Sequence, residues 1–374
     1  MRNRKSLIKV CSILAVILII IASPFVYWKV QESKTLKVVI IDKTVPDNTY
    51  REHKGFMWIL NNLKIKNGDS NTEYDYDKDY YGFFPLANEK YTIKEIPEEL
   101  GKPNLIYLTD TYGVYNEDFY ESNKDAGNRS KIIYGGTKAS EVASIKNALG
   151  NNTIIGEFNI LASPTDDKVR EEIQDIFGLK WEGWIGRYFA DLSNQNTEIP
   201  NWMRENYANQ QGERFDFKGA GIVFVNSDDT ILVLRRDVEL DKGFNKINFT
   251  DRAKNEFQVK NNVNYYYWFE VTKADADTEV LASYKIDVTK EGKKLLDKHN
   301  LPSEFPAVAR KKGSYTSYYF AGDFADSNST PNMYSAAGMQ LLNKLTTVEE
   351  DTNQNYFYWN VYYPLIKSVL KNIN

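Results

Sequence analysis

Three hydrophobic regimes follow one another along the chain. The first is Val10–Trp28, VCSILAVILIIIASPFVYW, 19 residues without a charge. That is close to the ~20 residues a helix needs to cross about 30 Å of hydrocarbon. Tyr27 and Trp28 close it, where amphipathic rings favour the membrane interface. The second regime alternates short apolar runs with helix-spaced segments. LKVVIID (36–42), NLIYLTD (104–110), KIIYGG (131–136) and TIIGEFNILA (153–162) are apolar on both faces, the signature of buried parallel strands. Between and after them, Phe56, Ile59, Leu60 and Leu63, then Val142, Ile145 and Leu149, then Val169, Ile173 and Ile176 recur at helical spacing.

The third regime is richer in strand pattern. GAGIVFVNSDDTILVL (219–234) predicts a hairpin about Asn226–Asp229. VNYYYWFEVT (263–272) and TEVLASYKIDV (278–288) predict a second antiparallel pair. A short helix is predicted at 290–299, a strand in SYTSYYFAGDFAD (314–326), and helices near 335–346 and 364–372. The fold class expected is therefore α/β: a mostly parallel, flavodoxin-like sheet with helices on both faces, a β-rich antiparallel insertion and one N-terminal transmembrane helix. The organisation expected is a cytoplasmic basic segment at 1–9, a signal-anchor helix at 10–28 and a stalk at 29–35. The α/β domain follows at 36–194, the insertion at 195–289, and a return to the α/β domain at 290–374.

Charge orients the anchor. Residues 1–30 hold five bases (Arg2, Arg4, Lys5, Lys9, Lys29) and no acid, which predicts a cytoplasmic N-terminus and an external C-terminal domain. The apolar run exceeds the 7–15 residues usual in a signal peptide and has no A-x-A site, although a cleaved signal is the alternative. The rest of the chain has 42 basic and 51 acidic groups, which argues against nucleic acid as a partner. The single cysteine, Cys11, lies in the apolar run, so disulfides and thiol chemistry are excluded from the external domain. With only His53 and His299, a zinc site built on histidines is excluded too, and no metal or cofactor is expected. The polar, Tyr-rich segment 67–90 reads as a loop. Its Asp75, Asp77 and Asp79 do not make an EF-hand, since the required Gly and Glu positions hold Tyr80 and Leu86.

The segment KIIYGGTKASEVASIKNALGNNTIIGEFNILASPT (131–165) resembles the class I glutamine amidotransferase-like superfamily, in particular its non-catalytic members, the ThuA-like and β-galactosidase trimerisation-like domains. The likeness lies in a strand ending at Gly135-Gly136, a helix, and a strand running into a tight turn. It extends loosely to 36–63, 104–110 and Ala321-Gly322-Asp323. Catalytic members of the superfamily place a cysteine at the turn and a His-Glu pair later. Here the turn reads Gly156-Glu157-Phe158-Asn159, which excludes glutaminase chemistry. WEGWIGRYFADL (181–192) is similar to strings in exported proteins of low-GC Gram-positive bacteria.

In parallel sheets, ligands sit at the carboxyl ends of strands. Asp42, Asp110, Glu157 and Asp323 occupy such ends and are the candidate catalytic residues. Gly135, Gly136, Trp184 and Arg187 are the candidate ligand-binding residues, the last two expected to be exposed. The resemblance and the aromatic content imply a binding or scaffold component of cell-envelope polysaccharide synthesis or modification. A polysaccharide ligand and an envelope glycosyltransferase complex are the expected partners, besides the bilayer around 10–28. The alternatives are an extracellular carboxylate-dependent carbohydrate hydrolase or esterase, and a structural partner of another membrane protein.

Overall fold

The computed structural model describes residues 2–120, 129–327, 330–351 and 354–373, the side chains of 2–6 and 242–244 excepted. The side chains of Arg2, Arg4 and Lys5 thus lie outside the described residues. The N-terminal helix spans Arg2–Val30, and its stretch Leu7–Val30 is long and apolar enough to cross a membrane. Pro24 lies inside it. Pro24 has no N–H to offer the Ile20 carbonyl, and the Ser23 hydroxyl donates to that oxygen instead at 2.9 Å.

The globular part is built on a ten-stranded sheet. Its parallel heart runs, from one side to the other, Thr316–Phe320, Thr153–Gly156, Leu105–Leu108, Val38–Asp42 and Tyr81–Leu86. Every residue of Val38–Asp42 and Leu105–Leu108 is buried, so both faces of the sheet are covered there. The flanks are antiparallel. Lys90–Lys94 closes one edge as a hairpin with Tyr81–Leu86. On the other side Glu304–Lys312, Glu279–Val288, Leu240–Phe249 and Val263–Asn264 follow in turn.

The sheet is therefore mixed, with the parallel pairings confined to its centre. The loop at 313–315 is too short for a crossover, so Glu304–Lys312 and Thr316–Phe320 can pair only as a hairpin. Two local expectations also change. The segment read as a loop at 67–90 contains the strand Tyr81–Leu86, next to the sheet's edge, whose aromatic run is framed by acidic residues that mask it. The segments 263–272 and 278–288 do not pair with each other: Glu279–Val288 joins the main sheet, whereas Phe269–Ala274 joins a second one.

That second sheet has the order Ile231–Arg235, Gly221–Asn226, Leu179–Phe189, Phe269–Ala274, all antiparallel. Alternation divides its side chains. Ile222, Phe224, Leu232 and Leu234 join the main core, whereas Val223, Val225, Ile231 and Val233 pack with Met203 and Phe215 in a smaller core under the helix Asn201–Gln211. The helices Arg51–Asn62 and Tyr363–Lys371 pack on each other, as do Ala139–Ala148 and Asp167–Phe177.

Candidate functional site

From Val38–Asp42 the chain goes to Tyr81–Leu86 on one side and later to Leu105–Leu108 on the other. This reversal is a topological switch point, where strand ends part and leave room for a ligand. Asp42 and Asp110 stand at it, and Thr44 knits them together. The Thr44 amide donates to Asp42 Oδ1 at 2.9 Å, and its hydroxyl donates to Asp110 Oδ1 at 2.7 Å. His53 Nδ1 is hydrogen-bonded to Asp42 Oδ2 across 2.5 Å, and His53 Nε2 donates to the Tyr76 carbonyl at 2.7 Å. Both ring nitrogens are occupied, so His53 has no free position with which to act as a base. Burial pushes the Asp110 carboxyl up to about 7, against bonds from Thr44, the Tyr112 amide and Asn159.

Glu157 follows the strand Thr153–Gly156 at a tight turn. Two residues on, Asn159 takes a left-handed conformation, φ 67°. Glu157 is fully buried. Its Oε1 accepts from the Tyr107 hydroxyl at 2.6 Å, and its Oε2 accepts from the amides of Phe324 and Ala325 at 3.1 and 3.0 Å. Burial pushes it up to about 8 despite these bonds. Its carboxyl thus ties two strand ends together and has no free oxygen facing a cleft. Glu270 makes a comparable tie: it takes the Asn159 amide at 3.1 Å and the Tyr319 hydroxyl, and burial pushes it up to about 8.

Asp323 belongs to a different group. One carboxylate oxygen each from Glu52, Asp323 and Asp326 lies within 4.8 Å of the others. Burial first, then the neighbouring acids, holds the Glu52 and Asp323 carboxyls well above the ordinary range. Arg51 balances the group. Its Nε donates to Asp326 Oδ1 at 2.7 Å, and its Nη2 reaches Asp326 Oδ2 and the Tyr267 hydroxyl. Glu52 and Arg51 open the helix Arg51–Asn62, so the helix start aims an acid and a base at the ends of the later strands.

Beside this group lies a cavity of about 360 Å³. Arg51, Asp326 and Ser327 form one wall, Tyr266 and Tyr267 another. Arg187, Tyr188 and Phe189 line it too, together with residues of the loop 190–198 that follows them. The Arg187 guanidinium lies 4.8 Å from the ring centres of both Phe189 and Tyr267, and it pairs with Glu198. Its Nε is buried without a partner among the described residues, a hydrogen-bond donor left unspent beside the cavity.

The structure thus brings Asp323 and Arg187 to one region and keeps Asp42 and Glu157 in closed hydrogen-bonded corners. Trp184 is buried rather than exposed, wedged edge-on against Phe224 and His299, because alternation along Leu179–Phe189 turns it towards the main core. Gly135 and Gly136 are enclosed by their own chain. A Cβ on Gly135 would stand 2.4 Å from the Tyr112 carbonyl oxygen, and the Gly136 carbonyl accepts from Lys43 Nζ at 2.7 Å. Glu52, Arg51, Tyr267 and Asp326 complete the site without having been singled out by motif. The available signal was the acid-base pair at the start of the first helix after a strand ending in Asp.

No family model matches the chain, and a comparison with curated proteins returns no match. Among solved structures, a ThuA-like protein from Bacteroides uniformis ATCC 8492 is similar at 11% identity. The similarity covers 78% of this chain and 84% of that one, with a TM-score of 0.29, a level at which it carries no argument about fold or function.

Proposed function

We propose that the chain is a membrane-anchored external domain that binds a polysaccharide of the cell envelope, as a non-catalytic component of its synthesis or modification. One observation carries this reading: the cavity joins the rings of Tyr188, Phe189, Tyr266 and Tyr267 to Arg51, Arg187 and Asp326. Ring faces supply flat apolar area to sugars, and a few convergent charged groups fix hydroxyls and any acidic substituent. The sequence feature that supports a binding role over amidotransfer is Glu157, whose position in relatives belongs to the nucleophile and whose carboxyl here is spent on structure. The test is binding of purified envelope polymers to the full chain in lipid nanodiscs. Saturable binding that Arg187→Ala weakens at least tenfold is expected; no binding to any envelope polymer overturns the reading.

A second reading, hydrolysis of a glycosidic or ester bond, is favoured by the trio Glu52, Asp323 and Asp326. A carboxyl kept protonated by burial beside a second carboxylate is the pairing such hydrolysis uses. Turnover of a bound polymer that Asp326→Asn abolishes, with binding retained, would establish it.

A further inference from the structure

The helix Met339–Thr346 carries an apolar face that the protein does not cover. Leu341, Leu342 and Leu345 are 61, 57 and 75% exposed, and Val348 just beyond is 73% exposed. The spacing of Leu341, Leu342 and Leu345 sets them on one helical stripe, and Val348 follows once Thr347 has turned the chain extended. The opposite side is seated, with Met339 buried in the core. A soluble domain gains nothing by presenting three such side chains on one short helix and a fourth just after it, so what lies against them is the question.

Its position answers it. The Ala337 amide, two residues before the helix, donates to the Pro24 carbonyl of the N-terminal helix at 3.0 Å. Tyr334 packs edge-on against Trp28, whose indole N–H donates to the Asn62 carbonyl at 2.8 Å. Lys64 Nζ bonds the Lys29 carbonyl at 3.0 Å, placing a cation at the C-terminal end of that helix. The domain therefore grips the anchor at several points, and the short helix starts level with Pro24. Pro24 is six residues inside the apolar stretch that ends at Val30. At the helical rise per residue, that is about 9 Å below its end. Amphipathic helices that lie in a bilayer interface sink ~5–10 Å into it.

We propose that the helix Met339–Thr346, with Val348, is a second membrane contact, lying in the bilayer interface on the domain's side and inserting Leu341, Leu342, Leu345 and Val348 among the acyl chains. This rests on the reading of Leu7–Val30 as a spanning anchor. It adds that the domain is held flat against the lipid surface in one orientation rather than tethered on a free stalk.

The experiment uses the full chain with Cys11→Ser, reconstituted in phosphatidylcholine vesicles. One variant carries an environment-sensitive fluorophore at Leu345→Cys, a second carries it at Leu18→Cys. Quenching is read with nitroxide-labelled phosphatidylcholine and, separately, with iodide in the buffer. The proposal expects the label at 345 to lose most of its emission to the lipid nitroxide and little to iodide, as the label at 18 does. Quenching at 18 by lipid but at 345 by iodide alone overturns the surface contact and leaves the anchor standing. A label at 345 shielded from both quenchers also overturns it, in favour of a protein covering that face. Absence of lipid quenching at 18 overturns the anchor and the proposal together.

Discussion

The Arg51 guanidinium holds the Asp326 carboxylate across 275 residues of chain, with Nε donating to Oδ1 at 2.7 Å and Nη2 to Oδ2. It is the ion pair that offsets the repulsion among Glu52, Asp323 and Asp326. Replacing Arg51 by Met is expected to cost about 2 kcal/mol near neutral pH. That is less than the cost of breaking a fully buried pair, because the guanidinium is about a third exposed to solvent. Adding Asp326→Asn, which removes the stranded charge, should recover most of the loss. Urea unfolding of the two variants checks this, and an equally unstable double variant would show that the pair is not what matters.

Stability should fall as pH rises from roughly 5 to 8. Glu157 and Glu270 are pushed up to about 8 and Asp110 to about 7 in the folded chain. The same groups titrate near 4 when unfolded. Between those values the folded state binds more protons than the unfolded one, so the free energy of unfolding decreases with pH, by up to ~1.4 kcal/mol per pH unit for each such proton. Glu157→Gln cannot take up its proton and should flatten the profile by up to one proton's worth. Chemical denaturation across this range reads both effects, and a stability that climbs with pH would contradict the assignment.

Trp184 and Arg187 lie three residues apart yet should separate packing from binding. Trp184→Ala empties a buried site and is expected to cost ~3–5 kcal/mol. Arg187→Ala removes ring stacking and one pairing with the exposed Glu198, for ~1 kcal/mol, while abolishing most polymer binding. Melting temperatures alongside binding isotherms distinguish the two; binding that falls only in proportion to lost folded protein would place Arg187 with Trp184.

Lys43 and Glu141 form an ion pair at 2.7 Å with both side chains buried. Burial lowers the Lys43 pKa, and Glu141 opposes that shift. Either Lys43→Met or Glu141→Gln alone leaves a buried partner unmatched and should cost ~3–5 kcal/mol. Lys43→Met with Glu141→Leu should recover a good part of that loss. Additive losses in a double-mutant cycle would argue that the two side chains act independently.

Much of the central sheet is legible because its strands are apolar on both faces. LKVVIID, NLIYLTD and TIIG stand out from any helical period, and each is followed by a polar residue at the strand end. Tyr81–Leu86 is not, because its aromatic run follows three aspartates and precedes Asn88 and Glu89, all of which read as loop. Neither is the partner choice of Phe269–Ala274 and Glu279–Val288. Alternation states that a strand has two faces, but not which of two sheets receives it. The site divides in the same way. Asp42 and Asp110 follow from strand ends, whereas Glu52 looks like an ordinary acid in the first turn of a helix until Asp323 and Asp326 arrive beside it.

What the sequence determined by itself is what depends on neighbours along the chain: a charge-free stretch long enough to cross a bilayer, buried strands alternating with helices, and a single cysteine confined to that apolar stretch. What only the tertiary structure decided is which acids face each other, which are spent on holding strand ends, and which side of Leu179–Phe189 meets the core. Those outcomes depend on burial and on contacts between residues hundreds of positions apart. Burial is what keeps a carboxyl protonated, and no local pattern encodes it.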